Sequence, residues 1–405
     1  MMNAIGVIVE YNPFHNGHAY HVRKSREAAN ADIVAAVMSG PFLQRGEPAL
    51  ISKWARTEMA LNAGVDLVVE LPYKFATQKA EIFAEGAVAI LQALRCKAFC
   101  FGSEQGSIEP FIDTYHFLES KSDVFNEKLR LYMDMGNSFP KANALAFKDM
   151  SPSSGLLDLS QPNNILGYQY VSAALSREYP ISPLTIKRTQ AGYHDIALTE
   201  NPIASATGIR KGLLTEKSNI ADIEKYVPAS TKEILAHYFI QYRTFHYWEL
   251  YWPLLKYRIL TAAVSELQKI YEVEEGIEYR LKEFAAASTS FQGFMERVKT
   301  KRYTWTRIQR ICVHILTNTK KEEMCSGNSG PEYIRLLGIN NRGRSYLQHI
   351  KKKLDLPLIS KVGSLKGNSI ELDIRAGAVH SLCLRPEDQA GYTKREFLPP
   401  VVIEE

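Results

Sequence analysis

The 405-residue chain reads as a doubly wound α/β protein, a five-stranded parallel sheet followed by an α-helical C-terminal domain. Three observations predict this. Short, almost wholly apolar runs such as AIGVIVE (4–10), DIVAAVMS (32–39) and DLVVE (66–70) alternate with helical patterns. Strands apolar on both faces belong to parallel sheets covered by helices on both sides. Breakers follow these runs at Asn12-Pro13, Gly40-Pro41 and Leu71-Pro72. After about Leu213 strand patterns become rare, and helical stretches rich in tyrosine, tryptophan and basic residues take over.

Taken in order, Ala4 to Glu10 is the first buried strand, and a helical spacing runs from about His18 to Asn30. Asp32 to Ser39 is the second strand, and it opens into a loop, Gly40 to Pro48, with breakers at both ends. Ser52 is placed to cap a helix over Lys53 to Ala63, because its hydroxyl can accept from a free backbone N–H of the first turn. Asp66 to Glu70 is the third strand, Lys79 to Leu94 an alanine-rich helix, and Ala98 to Phe101 the fourth strand, ending in Gly102-Ser103-Glu104. Residues 105–161 break the rhythm and read as an insertion, irregular at Ser151-Pro152-Ser153-Ser154-Gly155. A helix starting at Asn163 or Asn164 and a short strand, Leu184 to Lys187, complete the fifth unit. In such sheets ligands bind outside the carboxyl ends of the strands, so the turn after the first strand, the Gly40–Pro48 loop and Gly102 should converge on one cleft.

The length suits two domains, 1–215 as the catalytic unit and 216–405 as the helical one. A composition 45% hydrophobic and 23% charged supports an ordinary folded core and excludes a disordered chain. Five cysteines without a CxxC pair argue for reduced thiols. No charged-then-apolar leader precedes the first strand and no apolar run approaches ~18 residues, so a cytoplasmic location without a membrane partner is expected.

The turn after the first strand holds His15-Asn16-Gly17-His18 where a helix begins. A helix start favours an anion, since its backbone N–H groups and dipole face outward there. The histidines could instead form a metal pair, but apart from His21 nothing nearby stands at ligand spacing, so no dedicated metal site is expected. Farther on, Ser205-Ala206-Thr207-Gly208-Ile209-Arg210-Lys211 places two hydroxyls and two cations at another helix start; plain capping and a solvated face also account for it.

In the second half, Tyr238 to Tyr257 is strongly aromatic, with core packing as its first reading and base stacking as its second. Met295 to Leu316 reads as one helix. Lys299, Tyr303, Arg307, Arg310 and His314 would share a basic face, with Arg302 beside it, and Val298, Trp305, Ile308, Cys312 and Ile315 an apolar face. No acid lies between Arg297 and Lys321, so no local pairing neutralises the stripe, which points to phosphate backbone as its partner. Asn340-Asn341-Arg342-Gly343-Arg344 and Lys351-Lys352-Lys353 add to the basic surface. The tail after Gly391 reads as a loose terminus or a strap.

The His-x-Gly-His pattern resembles the signature of the HxGH nucleotidyltransferase superfamily, and SATGIRK resembles the phosphate-clamping segment of pyridine-nucleotide and pantetheine-phosphate adenylyltransferases. Over nearly the whole chain, IVEYNPFHNGHAYH, GPFLQRGEPA, VELP, FGSE, QPNNILGYQY and KRYTWTRIQR together resemble the bacterial tRNA(Met) cytidine acetate ligase family. That resemblance implies an enzyme that activates acetate with ATP, in the company of Mg2+. It would release pyrophosphate and acetylate N4 of the wobble cytidine of elongator tRNA(Met). It implies His15 and His18 as the catalytic pair acting on the phosphates. Nucleotide contacts would come from Ile8, Val9, Glu10, Tyr11, Asn12, Pro13, Phe14, His15, Asn16, Gly17, His18, Ala19, Tyr20 and His21, and from Gly102, Asn163 and Arg188. Arg210 and Lys211, with Arg45 and Lys53, are candidates for the triphosphate charge. Lys299, Arg302, Tyr303, Arg307 and Arg310 are the RNA candidates. The alternatives are a small-molecule adenylyltransferase of NAD or coenzyme A biosynthesis and an RNA-binding module with a degenerate nucleotide site.

Overall fold

The computed structural model describes residues 2–150, 155–188, 204–214, 220–325, 330–364 and 370–404. The expected irregular stretch 151–154 lies outside the described residues, as does Ile203 before the SATGIRK segment. Strands β1 (Ala4–Val9), β2 (Ile33–Ser39), β3 (Leu67–Leu71), β4 (Ala98–Ser103) and β5 (Ser182–Lys187) lie in the order β5-β4-β1-β2-β3, with every neighbouring pair parallel. Ile33, Ala35 and Val37 of β2 pack into one core, while Val34, Ala36 and Met38 pack into another on the opposite face. That alternation explains why the strands read as unbroken apolar runs: both faces are covered. Chain order reverses beside β1, which runs on to β2 and β3 on one side and has β4 and β5 on the other. The crevice at the carboxyl ends of β1 and β4 is therefore the switch point.

The C-terminal part departs from the expected all-helical domain. β6 (Ile334–Asn340) pairs antiparallel with β3, and β7 (Leu358–Ile359) and β8 (Val401–Ile403) pair in parallel with β6. The sheet thus has eight strands among the described residues, and the terminal strap is the segment that delivers β8. The run IRLLGIN was hidden by one charge, Arg335, which is buried rather than solvated. Between these strands and β5, helices such as Trp248–Thr261, Phe291–Val298 and Trp305–Leu316 build a separate core of Trp248, Tyr251, Trp252, Phe294, Ile308 and Ile315. Much of the aromatic stretch is core packing, although Tyr257 is 69% exposed. In the insertion, helices Glu109–Ser120, Ser122–Asp134 and Phe139–Asp149 lean on the sheet through Phe111, Leu118 and Phe147. No helix among the described residues is long and apolar enough to cross a membrane.

A buried ionic square fastens the added strands. Lys53 Nζ lies 2.8 Å from Glu70 and 2.7 Å from Glu396, and Arg335 lies 3.0 Å from Glu70 and 2.7 Å from Glu396. Lys53 is therefore not a phosphate ligand; its charge is consumed inside the fold. Beside the square, burial and then the Glu70 charge push the Asp373 carboxyl up to about 7, while it accepts from the Tyr333 hydroxyl and from Tyr73 N. Removing one charge from such a square leaves a buried cation uncompensated, which costs about 3–5 kcal/mol. Glu70→Gln should lower the unfolding free energy by that amount in a denaturant titration; a loss below ~1 kcal/mol would show that the square does not hold β6 to β3.

Candidate active site

The turn between β1 and helix Asn16–Ala28 is built around two imidazoles. His15 is the N-cap, and its Nδ1 accepts the Gly17 N–H at 3.0 Å. His18, three residues on, turns back so that its Nδ1 accepts the His15 N–H at 3.3 Å. The two rings stack with centroids 3.7 Å apart. A backbone N–H can only donate, so both Nδ1 atoms must be unprotonated and each neutral ring carries its proton on Nε2. The expected anion site is thereby changed in kind. The Gly17 N–H is already used, and the donors the turn can offer a ligand include two Nε2–H groups.

Electrostatics agree with the neutral form. Burial, then the charges of Arg188 and Arg210, lower the His15 pKa to about 3. Burial, followed by His15, His21 and Arg188, holds His18 well below the usual imidazole range. His21, one turn farther along, is lowered to about 4 by burial and Arg188. Tyr11 and Phe14, expected among the nucleotide contacts, are buried instead and brace His18 from behind, with ring centroids at 5.0 and 5.5 Å. Pro13 and Val9 are also buried, and Ile8 packs against the other core, which leaves Glu10, His15, Asn16, Gly17, Ala19, Tyr20 and His21 as the incompletely buried members besides His18.

Distant segments fix this turn. Asn12 Oδ1 accepts from Leu50 N at 2.7 Å, and Asn16 Nδ2 donates to Lys225 O at 2.9 Å. Arg210, on helix Ala206–Leu213, donates to Asn12 O at 2.9 Å and pairs with Glu47 at 2.9 Å. The SATGIRK segment therefore does reach the HNGH turn, with Ser205 in the plain capping role on Gly208 N. Lys211, by contrast, is exposed. Fully buried Arg56 donates to the carbonyls of Glu10, Ser39 and Gly40, a role no local pattern signalled.

On the other wall, the Arg188 stem lies over Gly102; a Cβ on Gly102 would stand 3.2 Å from Arg188 Cγ. Arg188 follows β5 directly and its charge reaches all three imidazoles. Glu104, which sequence reasoning left without a role, accepts from Asn163 Nδ2 at 2.6 Å and from Asn164 N at 2.9 Å. It joins the FGSE and QPNN segments, so the end of β4 and the start of helix Pro162–Ser176 form one wall. The remaining phosphate candidate, Arg45, is half-buried in the Gly40–Pro48 loop and lends its charge to Glu10.

The basic stripe is corrected by the fold. Met295 to Leu316 is not one helix: Phe291–Val298 ends, and Trp305–Leu316 begins anew with Thr304 accepting from Arg307 N. Acids supplied by the 272–275 loop neutralise much of the stripe. Arg310 is buried in a two-pronged pair with Glu272 at 2.8 and 2.9 Å, Arg307 lies 3.3 Å from Glu275, and Arg302 lies 3.2 Å from it. Tyr303 is buried with its hydroxyl on Glu275 O, and His314 is buried against Tyr73. Arg310 and Tyr303 are thus taken off any RNA surface, whereas Lys299, Lys301 and Arg302 remain exposed. The missing information was the sequence-distant acids.

A cleft at a switch point with two neutral imidazole donors, two arginines and a helix start is suited to gripping a polyphosphate and stabilising charge as it leaves. Among the described residues no cluster of three or more His, Cys, Asp or Glu could hold a metal ion. The family described as HIGH Nucleotidyl Transferase matches residues 2–395. A tRNA(Met) cytidine acetate ligase from Geobacillus sp. (strain WCH70) is 49% identical over 100% of both chains. One from Bacillus subtilis (strain 168) is 46% identical over 98% of this chain and 96% of its own. The structure of apo Thermotoga maritima TmcAL superposes with a TM-score of 0.93 at 34% identity, covering 100% of both chains. The same protein bound with alpha-thio ATP gives 0.91 at 33% identity, again over 100% of both chains.

The geometry fixes a proton inventory that can be measured. Imidazole nitrogen NMR of the ligand-free protein should show His15 and His18 neutral with the proton on Nε2 at pH 7, and still neutral near pH 5; an imidazolium at either position would overturn the capping arrangement. The sign for stability follows. A histidine whose folded pKa lies below its unfolded value of ~6.5 contributes fully above that pH. Its contribution is lost as pH falls towards the folded value of about 3 for His15 and about 4 for His21, so stability should decline over that acid window.

Proposed function

The chain belongs to the HIGH nucleotidyl transferase family, and from that premise we propose how its cleft carries out the reaction of its tRNA(Met) cytidine acetate ligase relatives. It is an ATP-dependent ligase that joins acetate to a cytidine of tRNA(Met). Cytosine N4 is a poor nucleophile because its lone pair is delocalised into the ring, so acetate must first be activated. The acetate carboxylate attacks the α-phosphorus of ATP, giving the mixed anhydride acetyl-adenylate and pyrophosphate. N4 of the wobble cytidine of elongator tRNA(Met) then attacks the acetyl carbonyl and AMP leaves.

The observation that carries the residue roles is the pair of neutral, stacked imidazoles at the switch point, each obliged to present Nε2–H. In the first step these donors, with Arg188 and Arg210 nearby, take up charge on the departing pyrophosphate. Mg2+ accompanies the triphosphate rather than a protein cage. Gly102, Asn163 and, from the imidazole turn, His15, Asn16, Gly17, His18, Ala19, Tyr20 and His21 line the nucleotide; Tyr11, Pro13 and Phe14 support it from the core. Residues 1–215 carry the catalysis. Residues 216–405 carry the tRNA, with their last strands built into the catalytic sheet. The exposed Lys299–Arg302 turn, with Arg342, Arg344 and Lys351–Lys353, offers cations to the RNA backbone. The anticodon loop is single-stranded, so its cytidine can be splayed into the cleft at low unstacking cost. The enzyme works in the cytoplasm, where its substrate tRNA resides.

Labelled acetate incubated with bacterial tRNA should be incorporated into cytidine only when ATP is present. His18→Ala should lower turnover by ~10²–10³, the loss expected for one charge-stabilising donor. Label-free RNA with continued pyrophosphate release would favour a small-molecule adenylyltransferase instead. For the RNA surface, replacing Lys299, Lys301 and Arg302 together by alanine should lower the slope of log affinity against log salt by ~2–3, at 0.7–0.9 per phosphate contact. Arg310→Ala should leave that slope alone and cost about 3–5 kcal/mol of stability, because it strands Glu272.

A further inference from the structure

One carboxylate stands in the cleft without a task in the first half-reaction. Glu10 follows the last residue of β1 and is incompletely buried. A triphosphate and an acetate are both anions, and a carboxylate repels both, so Glu10 is chemically misplaced as their ligand. Its Oε1 accepts the Gln44 N–H at 2.8 Å, and no hydrogen bond among the described residues engages Oε2. From Gln44 a chain of polar groups leads away from the phosphate turn. Gln44 Nε2 donates to Gln78 O at 2.7 Å, and Gln78 Nε2 donates to the Tyr271 hydroxyl at 3.0 Å. Glu10 therefore lies where the cleft meets the helical half that carries the tRNA in the function proposed above.

We infer that Glu10 accepts a hydrogen bond from the exocyclic amine of the target cytosine and takes its proton during acetyl transfer, an inference that rests on that proposed function. Carboxylates are the side chains that match a cytosine N4 amine, which only donates. In the step, the N4–C bond to the acetyl carbonyl carbon forms, the bond from that carbon to the AMP oxygen breaks, and the N4 proton passes to Glu10. AMP leaves with its electron pair, and the proton then goes to solvent. Hydrogen bonding to one oxygen fixes the carboxylate's orientation while the other oxygen remains for the amine.

The surroundings favour a proton acceptor. Burial raises the Glu10 carboxyl above its ordinary range; the Gln44 N–H opposes this, Glu47 adds to it, and Arg45 and Arg210 oppose it. Arg56 and, from helix Pro162–Ser176, Tyr170 are the other ionisable groups whose charges couple to Glu10. The group must be ionised to act, so transfer should rise with pH through that raised value and then level off.

The test compares two half-reactions in the full-length enzyme: acetate-dependent exchange of pyrophosphate into ATP, and acetyl transfer to unmodified tRNA(Met). In Glu10→Gln, transfer should fall ~10²-fold more than exchange, as loss of a general base does, and the acid limb of its pH profile should vanish. Glu10→Asp should recover part of the transfer with the limb restored. Retained exchange reports that the variant is folded. Equal losses in both half-reactions would assign Glu10 to the nucleotide and overturn the inference, as would unchanged transfer. Wild-type enzyme that exchanges pyrophosphate but never labels RNA would instead bring down the functional reading, and the inference with it.

Discussion

The cleft depends on one buried guanidinium. Arg56, rising from the helix Lys53–Asn62, donates to the carbonyls of Ser39, the last residue of β2, and of Glu10 and Gly40, the first residues beyond β1 and β2. Parallel strands end without a hairpin to satisfy their last carbonyls, and buried carbonyls need donors. One side chain with a planar fork of five N–H groups supplies them to both strand ends at once. Burial lowers its pKa to about 10, with Glu10 and Glu70 among the charges that support it, so it stays cationic at neutral pH. The direction in which both loops leave the sheet follows from it, and with it the position of the imidazole turn.

The loop that Arg56 anchors also couples the two halves of the molecule. Gly46 takes a φ of +79°, and a side chain there would collide with the backbone of Arg310 at 2.4 Å. Trp248 Nε1 donates to Gly46 O, His246 N donates to Leu50 O, and His380 Nε2 meets Ala49 O at 3.0 Å. His246 and His380 stack at 3.7 Å among Tyr238, Tyr251 and Tyr392, all buried. Leu50 in turn donates to Asn12 in the imidazole turn. A few residues of loop thus transmit the placement of the helical half to the imidazole turn through obligatory backbone hydrogen bonds. The helical half is not loosely appended; Trp248, His246 and His380 hold the loop that in turn holds Asn12.

Charge in the site is divided between kinds of group. Neutral imidazoles cost little to desolvate and donate along fixed directions, whereas Arg188 and Arg210 bring guanidinium charge close to them, that of Arg210 shared with Glu47. Burial is the main reason the imidazoles stay neutral in the free protein; Arg188 beside all three and Arg210 beside His15 add to it, because a second cation close by would be repelled. The charges of the buried square of Lys53, Glu70, Arg335 and Glu396 are spent on one another, across the β3–β6 pairing.

The parallel sheet and its site turn were legible from local pattern. A strand buried on both faces must be apolar throughout, and a helix start after a strand end must leave N–H groups seeking partners, so the five parallel strands and the HNGH turn followed from the residues themselves. The reach of SATGIRK to that turn was legible only through a family resemblance, since nothing local links residues 198 apart. Tertiary structure decided the fate of the charges. Arg310 and Arg307 read as a basic stripe because their acids lie in the 272–275 loop, and Lys53 read as a candidate for the triphosphate charge because Glu70 and Glu396, its buried partners, are far away in sequence. Whether a charge faces water or a buried partner depends on long-range contacts, to which helical and strand periodicity carry no information. Apolar periodicity is a local property of the chain, whereas ion pairing is a property of the folded whole.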